Sequence, residues 1–179
     1  MPNLIVTGFG PFDTLISNPS SDIISALSCR DDIVLAIPEV NVSISGVDSA
    51  LAQIAGIQSP FIIVHFGVDM NARGIKIEPQ AFNEKNFRIP DQDGNVCILQ
   101  QIVEGGAAIL STSLNVTDLV SLDPCCRLST DPGRYICNLL YYKSLISGYR
   151  SVFIHVPPFS VIPIKKQLEV ISRILDRVE

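Results

Sequence analysis

The sequence predicts an α/β fold: three layers, α/β/α, around a twisted, mostly parallel central sheet. Three observations carry that expectation. Apolar strand-like runs alternate with helix-period segments along the chain, the pattern left by strand–helix crossovers. Residues 61–66 are apolar almost throughout, as suits a strand covered on both faces. Hydrophobic residues make up 47% of the 179 and charged residues 17%, which is enough apolar material for a packed core and too little charge for a disordered chain. With no repeat, linker or low-complexity tract, one domain over residues 1–179 is expected.

The elements follow in order. Residues 4–7 read as a short buried strand ending in the loop Gly8-Phe9-Gly10-Pro11-Phe12. Asn18-Pro19-Ser20-Ser21 starts a helix, with Asn18 or Ser20 as cap and Ile23, Ile24 and Leu27 at helical spacing. A strand fits 33–36, and a helix fits 46–56 with Val47, Leu51 and Ile54 on one face. Residues 69–117 are the least regular, with turns around short extended pieces. A helix is expected at 132–147, capped by Thr130 or Asp131 with Pro132 in its first position. A strand at 152–156 and an amphipathic helix at 164–178 complete the chain. In such folds the loops at the strand C-terminal ends carry the site. Here those are 8–12, 68–72 and 157–159, and they frame a cleft.

Composition excludes several functions. Net charge is −5 and the longest basic cluster is the pair Lys165-Lys166, so no nucleic acid partner is expected. The longest apolar run, 61–68, contains His65 and Gly67 and falls far short of the roughly 20 residues a membrane helix needs. The first apolar run, 4–6, is too short for a signal peptide. Cysteines at 29, 97, 125, 126 and 137 lack zinc-ligand spacing, so no metal and no cofactor are expected. Free thiols in a reducing cytosol are the simplest reading, which places the protein in the cytoplasm.

The chemistry starts from Cys137, in Ser-Thr-Asp-Pro-Gly-Arg-Tyr-Ile-Cys-Asn (129–138), and His155, in Val-Phe-Ile-His-Val-Pro-Pro (152–158). A thiol needs a base to become a good nucleophile, and imidazole suits that task near neutral pH. With two histidines in the chain there are few pairings to consider. A cysteine in a helix is more often a small core residue. With Asp131 as the cap, moreover, Cys137 falls in the second turn, where the helix dipole has faded. His155 stands just before Pro157-Pro158, near a strand end, whereas His65 lies mid-strand and reads as a core histidine. A third group should orient the imidazole, but many carboxylates qualify. Glu78, in an alternating strand-like run, reads equally as part of a solvated face. The residues alone reach a cysteine hydrolase without its third member.

Six segments in register resemble the pyroglutamyl-peptidase I (pyrrolidone-carboxylate peptidase) family: Gly8-Phe9-Gly10-Pro11-Phe12; Asn18-Pro19-Ser20; Glu78 with Asn83; Arg88-Ile89-Pro90-Asp91; Gly133-Arg134-Tyr135-Ile136-Cys137; and Phe153-Ile154-His155-Val156-Pro157. The resemblance implies a cysteine omega-peptidase acting on N-terminally pyroglutamylated peptides, as a monomer or homo-oligomer. It implies Cys137 as nucleophile, His155 as base and Glu78 as acid, with Arg88 near the oxyanion. Phe9, Phe12, Ile89 and Ile136 match apolar pocket positions, and Asn18 and Val68 match positions that meet the lactam. The chain departs from the family pattern at Pro79, after the acid, and at Val68, where bacterial relatives often have glutamine. A protein that binds pyroglutamyl peptides without efficient turnover, Pro79 having misplaced Glu78, is the alternative.

Overall fold

Side chains alternate along the first strand, and that alternation divides the core. The computed structural model describes residues 3–58 and 60–178. The chain runs β1 (Asn3–Phe9), α1 (Pro19–Leu27), β2 (Ile33–Val40), α2 (Ile44–Ala55), β3 (Phe61–Val68), β4 (Ile75–Glu78), β5 (Gln80–Phe82), β6 (Ile109–Ser111), α3 (Val116–Ser121), β7 (Cys126–Leu128), α4 (Ile136–Ile146), β8 (Ser151–Val156) and α5 (Ile164–Arg177). Leu4 and Val6 enter one apolar cluster with Ile23 of α1, Leu119 of α3 and Ile171 of α5. Ile5 and Phe9 enter the other, with Val47 and Ile54 of α2 and Leu139 and Leu140 of α4. A strand buried on both faces requires a layer on each side, and the helices supply them.

The central sheet has the order β2-β1-β3-β8-β4-β7. Its pairings are parallel except for β4 against β8, which is antiparallel. The sheet is therefore mostly parallel, as expected. β5 and β6 form a separate antiparallel pair. Pro79 stands at the junction, between β4, which belongs to the main sheet, and β5, which does not.

Local chemistry accounts for the element ends. The Asn18 side chain accepts from the Ser20 amide at 3.1 Å and Pro19 takes the first helical position, where a missing N–H costs nothing. Ser43 caps α2 through the Gly46 amide at 3.1 Å, so that helix starts earlier than the apolar pattern indicates. β2 runs on through Pro38, which is tolerated because β2 is the sheet edge.

One expectation is corrected. The helix expected at 132–147 starts at Ile136, with Tyr135 as the extended N-cap residue (φ −105°, ψ −157°). Asp131 caps a tight turn instead of a helix: its Oδ1 accepts from the Gly133 amide at 2.9 Å. Gly133 has φ +80°, a left-handed conformation that other residues rarely adopt. The chain therefore turns once between Asp131 and Tyr135 before the helix begins.

Candidate active site

That late start places Cys137 in the second position of α4. Leu139 is the first amide of the helix with a backbone acceptor, Tyr135 O at 3.1 Å. No side chain caps α4, and the N–H groups of Ile136, Cys137 and Asn138 have no acceptor among the described residues. Open amides at a helix start favour negative charge, so they suit a thiolate and an oxyanion alike.

Two further side chains of α4 fix its start against the segment that carries Glu78. Asn138 is fully buried. Its Oδ1 accepts from the Phe82 amide, and its Nδ2 donates to Phe82 O, both at 2.8 Å, and to Glu84 O at 3.1 Å. Tyr141 donates its hydroxyl to the backbone oxygen of Glu78 at 2.9 Å. Four positions after the thiol, Tyr141 thus holds the end of β4 that bears Glu78, while Asn138, one position after it, holds β5 just beyond.

His155 is the penultimate residue of β8 and lies opposite Gly67 of β3 in the register. A Cβ at Gly67 would lie 2.8 Å from Cys137 Sγ and 2.9 Å from Phe153 Cζ. The absent side chain is what gives the thiol room over the sheet. His155 Nδ1 and Glu78 Oε1 are 2.8 Å apart, with the carboxylate fully buried. The carboxylate can only accept, so Nδ1–H donates and Nε2 is left for the thiol. Burial opposes charge on the ring, but hydrogen bonds to Cys137 and Glu78 outweigh it and push the His155 pKa up to about 10.

Pro79 leaves this pair intact, since Glu78 reaches His155 from the last position of β4. His65 behaves as a core residue. Its Nδ1 pairs with Thr7 Oγ1 at 2.8 Å, and burial pushes its pKa down to about 3, so it stays neutral behind the site.

The remaining sequence-derived positions divide by location. Phe9 and Ile136 are core residues, 2% and 0% exposed. Phe12 is partly buried, its ring 5.6 Å from that of Tyr135. Asn18 spends its polar groups inside the loop, donating to Gly10 O at 3.1 Å and accepting from Ser20. Val68 ends β3 opposite Val156. Arg88 and Ile89 are exposed, on a loop docked beside the start of α4. The Asn86 amide donates to Arg134 O at 2.9 Å, and the Tyr135 hydroxyl donates to Pro90 O at 3.1 Å. Asp91 accepts from the Ile44 amide at 3.0 Å, tying the same loop to α2.

Sequence reasoning missed Gly67, Phe87, Tyr135, Asn138 and Tyr141. Phe87 packs edge-on against Tyr135 at 4.9 Å, so Phe12, Tyr135 and Phe87 form an aromatic wall beside the start of α4 that carries Cys137. Asn138 and Tyr141 carried a readable signal, as polar groups within the apolar run Ile-Cys-Asn-Leu-Leu-Tyr-Tyr (136–142). Gly67 carried none.

Gly67→Ala is expected to lower kcat by about 100-fold, because the new methyl displaces Sγ by a fraction of an ångström from its reactive position. Thermal unfolding and steady-state kinetics on the same preparation check this. A folded variant with near-normal kcat would mean that the thiol has slack over the sheet.

A family model described as pyroglutamyl peptidase matches residues 2–177. The chain belongs to the pyroglutamyl peptidase family. Among relatives, it is 32% identical over 166 residues to pyroglutamyl-peptidase 1 of Mus musculus, covering 87% of this chain and 78% of that one. It is 28% identical over 168 residues to the pyrrolidone-carboxylate peptidase of Clavibacter michiganensis, covering 88% and 79%. The pyrrolidone carboxyl peptidase of Thermus thermophilus superposes with a TM-score of 0.82 at 28% identity, over 96% of each chain. That of Fervidobacterium islandicum superposes with a TM-score of 0.87 at 25% identity, over 98% of this chain and 97% of that one. The pyroglutamyl peptidase fold is thus present from β1 to α5.

Proposed function

We propose that this protein removes pyroglutamate from the N-terminus of peptides through a Cys137-His155-Glu78 triad and a thioester intermediate. The observation that carries the reading is the convergence of three elements on one point. α4 presents the thiol, β8 the imidazole and β4 the carboxylate, with the last two hydrogen-bonded at 2.8 Å. In the reaction, Cys137 thiolate attacks the carbonyl carbon that follows the lactam ring. The carbonyl oxygen becomes an oxyanion facing the open amides at the start of α4, with Arg88 on the adjoining loop. Each well-placed donor of this kind is worth about 2.7–4 kcal/mol. His155 gives its proton to the departing amine and the C–N bond breaks, leaving the thioester. His155 then takes a proton from water, which attacks the thioester and frees pyroglutamate and the thiol.

Pyroglutamate is an uncharged lactam, so its subsite should be apolar with few polar groups. Phe12, Ile89 and the newly recognised Tyr135 and Phe87 line it in this reading, with Phe9 and Ile136 packed behind. Val68 meets the ring through its backbone. Asn18 acts by holding the Gly10 carbonyl. Residues 1–179 work as one domain, as a monomer or homo-oligomer, with no nucleic acid partner. The proposed placement is cytoplasmic; separately, no helix among the described residues is long and apolar enough to cross a membrane.

The test is amine release from a pyroglutamyl-amide reporter under reducing conditions, with a prolyl reporter as control. Proline lacks the ring carbonyl and would leave buried partners unpaired, so its kcat/KM should fall by about 10⁴-fold. Equal turnover of both reporters would refute a lactam-specific site. Pyroglutamyl-peptide binding without turnover would instead support the binding-protein alternative, against which the intact His155–Glu78 hydrogen bond stands.

A further inference from the structure

The sheet register fixes which side of the thiol receives the leaving peptide. In the proposed reaction His155 protonates the departing nitrogen, so the leaving peptide lies on His155's side of Cys137. Cys137 sits over Gly67 of β3, and the order onward is β8, β4, β7. Lys76 of β4 is the direct cross-strand partner of His155, and Arg127 of β7 is the partner of Lys76. Cross-strand partners present their side chains on one face. The imidazole is therefore followed by two cations in a row.

Both cations are fixed in place. Lys76 Nζ bonds Asp69 Oδ2 at 2.6 Å. Asp69 is itself held by its amide to Val156 O at 3.0 Å and by the Asn71 amide on its Oδ1 at 2.9 Å. The ammonium keeps two unused donors. Arg127 Nη1 donates to the carbonyls of Pro124 and Cys126, and no carboxylate pairs with its exposed guanidinium among the described residues. On the turn before α4, Arg134 pairs with Asp131 at 2.6 Å and with Glu84 at 3.8 Å, so it is already neutralised.

We propose that Lys76 and Arg127 form the leaving-peptide subsite and favour substrates with a carboxylate on the second or third residue of that peptide. This rests on the peptidase reading above. Neighbouring strands are about 4.8 Å apart, so Lys76 lies one strand and Arg127 two strands beyond His155. An extended peptide advances about 3.3 Å per residue. Its first residue passes Lys76, and its second or third reaches Arg127, whose planar fork suits a carboxylate.

Four pyroglutamyl-alanyl substrates test this. Their third residue is glutamate as the amide, lysine as the amide, alanine as the amide, or alanine as the free acid. The last two distinguish a terminal carboxylate from a side-chain one. At low salt, kcat/KM for the glutamyl amide should exceed that for the lysyl amide by about fivefold, and the free acid should exceed its amide. High salt should shrink both ratios. Arg127→Gln and Lys76→Met should bring the glutamyl-to-lysyl ratio towards one, and Arg127→Glu should invert it. A wild-type ratio near one, or a ratio unmoved by Arg127→Glu, overturns the proposal while turnover of the amide reporter keeps the peptidase reading. Absence of reporter turnover by folded wild type removes both.

Discussion

Cys137→Ala is expected to abolish release of amine from a pyroglutamyl reporter, by at least about 10⁴-fold, with little change in thermal stability. In the proposed mechanism the size follows from the loss of the only atom that forms the covalent intermediate, since single losses within such a triad approach the loss of the whole. The small structural effect follows from location. The thiol is only partly buried, so truncation leaves no large cavity. Alkylation gives an independent reading if the other thiols are considered. Cys97 and Cys126 are buried. Burial and the hydrogen bond the Cys125 thiol donates to Asp123 push its pKa up to about 12, so little of it is thiolate at neutral pH. Cys29 is exposed and is the competitor. Inactivation should therefore track modification of Cys137 by peptide mapping and persist in a Cys29→Ser background. Turnover that survives in Cys137→Ala would remove the thioester route altogether.

The parts of the fold legible in the sequence were those set by local pattern. β3 is an apolar run and is buried along nearly its whole length, and Asn18-Pro19 announced the first helix. The pairing direction of β4 was not legible, because four alternating residues define a strand but not its neighbour. Yet that antiparallel pairing brings Glu78 to His155. The start of α4 was misplaced because Asp131 and Pro132 imitate a helix start, while Gly133 diverts the chain into a turn. The correction strengthens the chemistry by bringing Cys137 into the first turn, within reach of the helix's open amides. For the site, residue types and spacing reached Cys137 and His155, and the family resemblance chose Glu78. Gly67, Asn138 and Tyr141 act through distances between elements far apart in the chain, which no local pattern encodes.

Glu78→Gln is expected to lower kcat by about 10³- to 10⁴-fold with a small change in KM. The substitution keeps the volume but replaces a group that can only accept with one that can also donate. If the amide nitrogen faces Nδ1, the imidazole must adopt the opposite tautomer and turn a protonated Nε2 towards the thiol. The pH profile should report the same change. In the wild type, burial opposes the imidazolium while Cys137 and Glu78 favour it, and the sum holds His155 protonated up to about pH 10. Without the carboxylate, burial weighs more, so the alkaline limb of kcat should move to lower pH. The sign for stability follows from the same shift. A folded-state pKa raised above the unfolded value of 6.5 stabilises the fold fully below pH 6.5, and that contribution is lost as pH rises through about 10. The thermal-midpoint difference between wild type and Glu78→Gln should therefore narrow across that window. Glu78 Oε2 has no hydrogen-bond partner among the described residues, so the buried carboxylate is incompletely satisfied and its retention costs stability. A variant with near-normal kcat and an unmoved alkaline limb would show that another group orients His155, and Glu78 would then be a structural acid. Lost kcat, a lowered limb and a stability difference that narrows with pH together require the carboxylate to act on the imidazole.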